Sequence, residues 1–418
     1  MMVGSQTHFR RLLLGALVAA FYCLICWWPQ VMDFFGTGHL GVWFLDTRAL
    51  LAASDAHQLG LDPSERNPLD LFNQPHVYSN WWFALGKLGL TRADTLWLGG
   101  LLGFGFLIVA TLQASVRSIG EVLWSTAIIL APGVMLGFNR ANADLLLFIL
   151  LAAVVPCVIS PKRSWHLLAL AAIALATNLK YYPVVAGIVL LALPGHRKER
   201  WTILGIFVVL VLVSAIEQAD AVLRYLHEQQ RPQGLHTFGA GFGAHLLRLP
   251  AWFDSAGALI AGLVVALVAW RRMPVCTVSP GQRGDYLRFI LGATVLAASY
   301  FATVNYAYRL VFAIFLAPWL WSAWVATDWP AAFVRIGRVS SILLIVTLWY
   351  DGMLCFVINV SEAFSPQQAA ALINGSTQIE KPVVLVFVLT LIAFITGFVR
   401  DEESRLRPPN PEDSELAD

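Results

Sequence analysis

Long apolar runs recur along the whole chain, each closed by charged or turn-forming residues. A bilayer crossing needs about 20 predominantly apolar residues. On that measure the pattern predicts an all-α polytopic membrane protein with about twelve spans. They fall at 11–29, 95–114, 121–138, 144–160, 164–179, 181–194, 201–216, 254–270, 287–304, 309–326, 339–359 and 382–399. The sixth is short and meets Pro183 almost at once, which predicts a broken or tilted helix. Residues 79–90 are apolar but too short to span, and read as a helix at the interface or against the bundle. The first run follows His8-Phe9-Arg10-Arg11. It exceeds the apolar stretch of a signal peptide and no small-residue cleavage site follows, so it reads as a retained span. Gly99 and Gly103, one helical turn apart, read as a helix-packing face.

The polar segments between the spans are unequal. Placing the N-terminus in the cytoplasm puts 17 of the 28 basic residues on the inner side, although the outer segments are much longer. Pro161-Lys162-Arg163, His196-Arg197-Lys198-Glu199-Arg200 and Arg271-Arg272 are examples of basic inner loops, as the positive-inside rule requires. Residues 1–400 then form one integral membrane domain with two long outer loops, 31–94 and 217–253. Residues 401–418, charged and nearly free of large apolar side chains, read as a disordered cytoplasmic tail.

Composition agrees: 58% of residues are hydrophobic and 13% charged, against roughly 25% charged in a soluble domain. A net charge of +2 gives no ground for a nucleic-acid partner. None of the five cysteines lies in an outer loop, so no disulfide framework is expected. Cys23 and Cys26 form a CxxC inside an apolar helix and read as packing residues.

The residues capable of chemistry gather on the outer side. The first outer loop carries Asp46 at the start of an amphipathic pattern running from Phe44 to Leu59, then turn signals at Gly60-Leu-Asp62-Pro63 and Asn67-Pro68. His76 lies in the stretch leading back toward the bilayer. Further polar clusters fall at outer helix ends: Asn139-Arg140-Ala-Asn142-Ala-Asp144, Asn178-Leu-Lys180-Tyr181-Tyr182-Pro183 and Asn305-Tyr306-Ala-Tyr308-Arg309. Ionisable residues at membrane depth are costly and usually functional. One acid facing Arg140, Lys180 and Arg309 at headgroup level, with Trp- and Phe-rich flanks, suits a lipid phosphate. The acid would serve as general base. Asp33, just after the first span, is an alternative to Asp46 in that role.

The order of these motifs resembles the GT-C superfamily of membrane glycosyltransferases, and within it glycosyltransferase family 87. The likeness covers roughly residues 40–320. It rests on Asp46 followed by Ala52-Ala53 and Gly60-Leu-Asp62-Pro63, on Asn139-Arg140-Ala-Asn142-Ala-Asp144, on Lys180-Tyr-Tyr-Pro183 and on Asn305-Tyr-Ala-Tyr308-Arg309-Leu310. The chain departs from the family at His76-Val77-Tyr78-Ser79-Asn80, where relatives often carry Tyr-Pro or Pro-Pro. The resemblance implies an inverting transfer of a mannose-like hexose or a pentose from a polyprenyl-phosphate donor to a lipid or glycan acceptor. Asp46 would be the base, and Arg140, Lys180 and Arg309 would hold the leaving phosphate. Asn142, Asp144 and His76 would position the sugar or acceptor, and Tyr181, Asn305 and Tyr308 would be further substrate-binding residues. It implies no cofactor beyond the lipid-linked donor, and a bacterial inner membrane with both termini cytoplasmic.

His76, His236 and His245 match no compact metal-binding spacing, so no metal site is expected. Asp351, inside the eleventh span, is a functional candidate or a partner of a neighbouring helix. The Gly234–Gly243 stretch reads as a flexible loop. A secondary transporter is the second functional reading, although the two halves do not repeat and the charges are not at mid-bilayer. A lipid-linked glycan polymerase or ligase is the third.

Overall fold

A computed structural model describes residues 2–38, 41–194, 197–219, 236–239, 252–274, 278–302, 305–361 and 364–406. Each of the twelve apolar segments falls on one helix or two, and among the described residues helices account for the regular structure apart from a two-residue ladder. Among the described residues six helices are long and apolar enough to cross a membrane: Gln6–Trp27, Arg92–Gln113, Lys198–Glu217, Ala307–Val325, Ala331–Ser361 and Ile379–Ser404. The protein is thus an all-helical membrane protein, with six such helices by length and composition among the described residues, or seven if the bent pair Ile119–Ile129 and Pro132–Arg140 is one span.

Three of the other apolar segments depart from a straight helix for local reasons. The segment expected at 121–138 is two helices, Ile119–Ile129 and Pro132–Arg140, bent by 54° at the break. Pro132 has no N–H to donate, and it holds Ala131 extended at φ −67°, ψ 147°. Segment 144–160 is the shorter apolar helix Ala143–Ile159. Segment 181–194 is a 3₁₀ helix, Tyr182–Ala192, started by Pro183. At about 2.0 Å rise per residue it covers more length than the same count of α-helical residues. A second 3₁₀ stretch, Ala307–Leu316, opens the innermost span, and Ala317–Val325 continues it as α-helix. That span is the most buried of the six, 83% against 6% for Lys198–Glu217, which faces outward. The last helix runs from Pro366 to Leu406. Residues 401–406, expected in a disordered tail, are therefore helical, and Glu402 pairs with Arg283 at 3.7 Å. Residues 407–418 lie outside the described residues.

The two ends of the bundle differ in chemistry. At one end Arg11 donates to Leu112 O, Arg288 donates to Gln113 O, and Arg117 pairs with Glu121 and Asp285. The first helix runs from this end to Trp27, and the Thr95–Gln113 helix returns to it. Asp46 and its neighbours therefore lie at the opposite end. There the first loop forms the expected amphipathic helix, Leu45–Gln58, and residues 80–87 form two short helices against it. Ser54 ties them together, donating to Phe83 O and accepting from the Gly86 N–H at 2.8 Å.

Candidate functional site

Three turns of backbone aim the site. Phe44 takes the left-handed conformation (φ 61°) and its N–H donates to Asn139 O at 2.8 Å. Its ring lies against Gly99, where an added Cβ would come within 2.4 Å of Cγ. The glycine pair 99/103 thus accepts two aromatic side chains, Phe44 and Phe138, rather than only another helix. Ala141, also left-handed at φ 41°, turns the chain from the end of Pro132–Arg140 straight into the next helix. Asn142 caps that helix, its Oδ1 accepting from the Asp144 N–H at 2.9 Å. Thr47 locks the first loop onto this turn by donating to Ala141 O at 2.8 Å. The third turn is at Lys180, extended at the end of Arg163–Leu179. Trp82 donates to Leu179 O beside it at 3.1 Å.

These turns bring most of the expected residues into one network. Arg140 Nε donates to Asp46 Oδ1 at 3.0 Å, and Asn142 Nδ2 donates to Asp46 Oδ2. The cap fixes Asn142 with Oδ1 inward, so its amide bridges the two acids. On the inner side Asp144 Oδ1 receives Lys180 Nζ and the Tyr182 hydroxyl, the latter at 2.7 Å. Lys180 Nζ also stands 3.5 Å from Asn142 Oδ1. Arg309 is buried, donates to Ser299 O at 2.7 Å and lies 5.0 Å from the Tyr182 ring centre. Burial is graded: the Asp46 and Arg140 side chains are 14% and 21% exposed, whereas those of Asp144 and Lys180 are 0% and 7%. Burial pushes the Lys180 ammonium below the ordinary lysine pKa, with Asp144 opposing that shift.

Tyrosines wrap the cations. Tyr306 faces Arg140 at 4.9 Å, and Tyr78, Tyr308 and Tyr182 surround Lys180 at 5.2, 5.4 and 5.7 Å. Sequence reasoning placed only Tyr308 of these four in the site. The signal was present, since each of the other three sits within two residues of a residue singled out as polar.

The remaining expected residues fall elsewhere or in part. His76 packs against Tyr78 and Phe83, with Nε2 3.2 Å from Ser79 O, on the loop side of Tyr78. Tyr181 lines an apolar cavity of about 430 Å³ between Arg163–Leu179 and Arg197–Glu217, with Thr177, Val184, Val211, Ser214 and Gln218. Asn305 begins the short ladder strand. Asp33 lies in a one-turn helix, Val31–Phe34, where Asn359 donates to its carbonyl at 2.9 Å. Of the two acids considered as base, Asp46 is the one bonded to Arg140 and Asn142. His245 lies outside the described residues, as does most of the Gly234–Gly243 stretch.

A second ionisable cluster includes Asp351. Its Oδ2 accepts from the His236 N–H at 2.6 Å. Lys381 Nζ donates to Thr237 O at 2.7 Å and stands 3.5 Å from Glu380. Glu380 and Lys381 went unnoticed in the sequence because they lie just before the apolar run that begins near Pro382. Among the described residues no group of three or more His, Cys, Asp or Glu side chains is placed to hold a metal ion. No protein family, curated protein or solved structure matches the chain.

Proposed function

We propose that the protein is a membrane glycosyltransferase of GT-C type, moving a sugar from a polyprenyl-phosphate donor to a lipid or glycan acceptor at the extracytoplasmic face. The observation that carries this reading is the outer carboxylate of Asp46, partly open to solvent and joined through Asn142 to a buried cationic interior. Asp46 accepts the proton of the acceptor hydroxyl, and the oxygen attacks the anomeric carbon. The bond from that carbon to the phosphate oxygen breaks, its electron pair leaves with polyprenyl phosphate, and the configuration inverts. Arg140, Lys180 and Arg309 offset the charge that grows on the departing phosphate. Both oxygens of Asp46 already receive a hydrogen bond, but a carboxylate offers about four lone-pair sites. The apolar cavity lined by Tyr181, the residue after Lys180, supplies a place for the prenyl chain.

The packing of the first loop on residues 139–142 favours a surface active site over a transport path. The uneven charge of the two bundle ends supports both termini on the cytoplasmic side of a plasma membrane. The test is sugar transfer by the purified protein in lipid, offering labelled polyprenyl-phosphate sugars and a lipid extract as acceptor source. Transfer by wild type and a loss of at least about 100-fold in Asp46→Asn is expected. Near-wild-type transfer by that variant removes Asp46 as the base. No transfer from any donor sinks the glycosyltransferase reading, and a flux assay then tests the transporter.

A further inference from the structure

Two of the tyrosines over the site cations, Tyr306 over Arg140 and Tyr308 over Lys180, stand on the segment 305–308, and that segment is held from far away. Its two-residue strand, Asn305–Tyr306, pairs antiparallel with Thr237–Phe238, Thr237 opposite Tyr306 and Phe238 opposite Asn305. One residue earlier, His236 O accepts from the Ala307 N–H at 2.7 Å. His236 is left-handed (φ 55°), a conformation a non-glycine residue takes seldom and keeps only when its surroundings impose it. Here they do so on three sides. Asp351 takes the His236 N–H, Phe35 O stands 2.8 Å from its Nε2, and Ala307 binds its carbonyl. Lys381 then clamps the next residue through Thr237 O and its hydroxyl.

We propose that Asp351 and Lys381 are positioning residues: they fasten His236 and the Thr237–Phe238 strand that follows it to the helices Ala331–Ser361 and Pro366–Leu406, and through them aim Tyr306 and Tyr308 at the site cations. The role rests on the reading of the Asp46 site given above. The path is short and each link is a hydrogen bond or a ladder pair. Asp351 holds the His236 amide, His236 holds the Ala307 amide, and Ala307 lies between the two tyrosines. An acid and a lysine among apolar helices cost solvation that leucine and methionine would not. What the pair provides is direction, since Oδ2 and Nζ each meet a backbone atom of the strand rather than one another.

The reporter is the backbone of 305–309, whose amide exchange follows local opening. Hydrogen exchange would be measured on the full chain in detergent. Asp351→Leu removes the acceptor, and exchange at 305–309 is expected to rise about tenfold to 100-fold, while the 338–348 peptide of its own helix stays at the wild-type rate. Asp351→Asn keeps an acceptor oxygen and restores most of the protection. Lys381→Met acts through Thr237 and gives the same local rise, which keeps the test available should Asp351→Leu not fold. In the transfer assay Asp351→Leu raises donor KM, as Tyr306→Leu does, because the tyrosines are present but turned away from the cations. Unchanged exchange at 305–309 in Asp351→Leu and Lys381→Met overturns the proposal, and so does a rise spread evenly over the chain. Should the wild type transfer no sugar, the exchange result still decides the fastening, and only the reading of the Asp46 site falls.

Discussion

Splitting the buried Asp144–Lys180 pair isolates the energetics of the inner site. Both side chains are almost wholly withdrawn from water, so removing either leaves the other's charge without its main partner. Such a cut typically costs about 3–5 kcal/mol. An upper bound follows from the escape route, because the survivor can neutralise. From the ordinary pKa values, protonating an aspartate at pH 7 costs about 4 kcal/mol and deprotonating a lysine about 4–5 kcal/mol. The two cuts differ in character. In Lys180→Met, Asp144 keeps the Tyr182 hydroxyl and the N-terminus of its own helix. In Asp144→Asn, Lys180 keeps Asn142 Oδ1 and three tyrosine rings, and its pKa, already lowered by burial, falls further. A lysine whose folded pKa lies below its unfolded value contributes fully only above the unfolded value, and its contribution falls as pH drops. Asp144→Asn should therefore regain stability between pH 7 and about 10, by up to about 1.4 kcal/mol per pH unit. Lys180→Met should show no such rise. The double variant Asp144→Leu/Lys180→Met buries no charge and should lie within about 2 kcal/mol of wild type. Equilibrium unfolding in mixed detergent–SDS micelles across that pH range measures all three. A double variant as unstable as the two single losses added together, or an Asp144→Asn curve flat in pH, refutes the reasoning.

Two smaller perturbations probe the frame around the site. Gly99→Ala drives a methyl into the Phe44 ring and should cost about 1–3 kcal/mol. Transfer should fall with it, because Phe44 starts the helix that presents Asp46, and wild-type stability and transfer together would show that the ring moves aside freely. Tyr306→Leu removes the aromatic face 4.9 Å from the Arg140 guanidinium at a half-exposed position. It should change stability by no more than about 1 kcal/mol and raise donor KM measurably in the transfer assay; an unchanged KM would remove Tyr306 from the site.

The twelve apolar runs and the motif at 139–144 were legible because both are local signals. The amphipathic helix at 45–58 was legible for the same reason. Asn142 and Asp144 sit where a cap and a first-turn acid belong, so that stretch announces its own geometry. The convergence of Asp46, Arg140, Asn142, Asp144 and Lys180 could be anticipated from sidedness alone. The 54° break at Pro132 and the two long 3₁₀ stretches were not foreseen as such, since apolar content does not separate a straight span from a broken or tighter one. Nor was the link between Asp351 and His236, which are 115 residues apart and share no sequence pattern. Lys381 was hidden because a charge flanking an apolar run reads as an interface anchor until its partner, the Thr237 backbone, is known.

The site is assembled from segments far apart in the chain, and this gives it an order of assembly in time. Chains are made at about 5–20 residues per second. Asp144 meets Lys180 within seconds of being made, whereas Arg309 and the two tyrosines before it follow roughly 10–30 s after Asp144. Lys381, which clamps the strand beneath them, comes later still. For that interval the two acids, Arg140 and Lys180 must rest in or beside the bilayer without Arg309 or the rings of Tyr306 and Tyr308. The Asn142 bridge and the Tyr182 hydroxyl, both made early, are the contacts that can hold them together until the second half of the chain arrives.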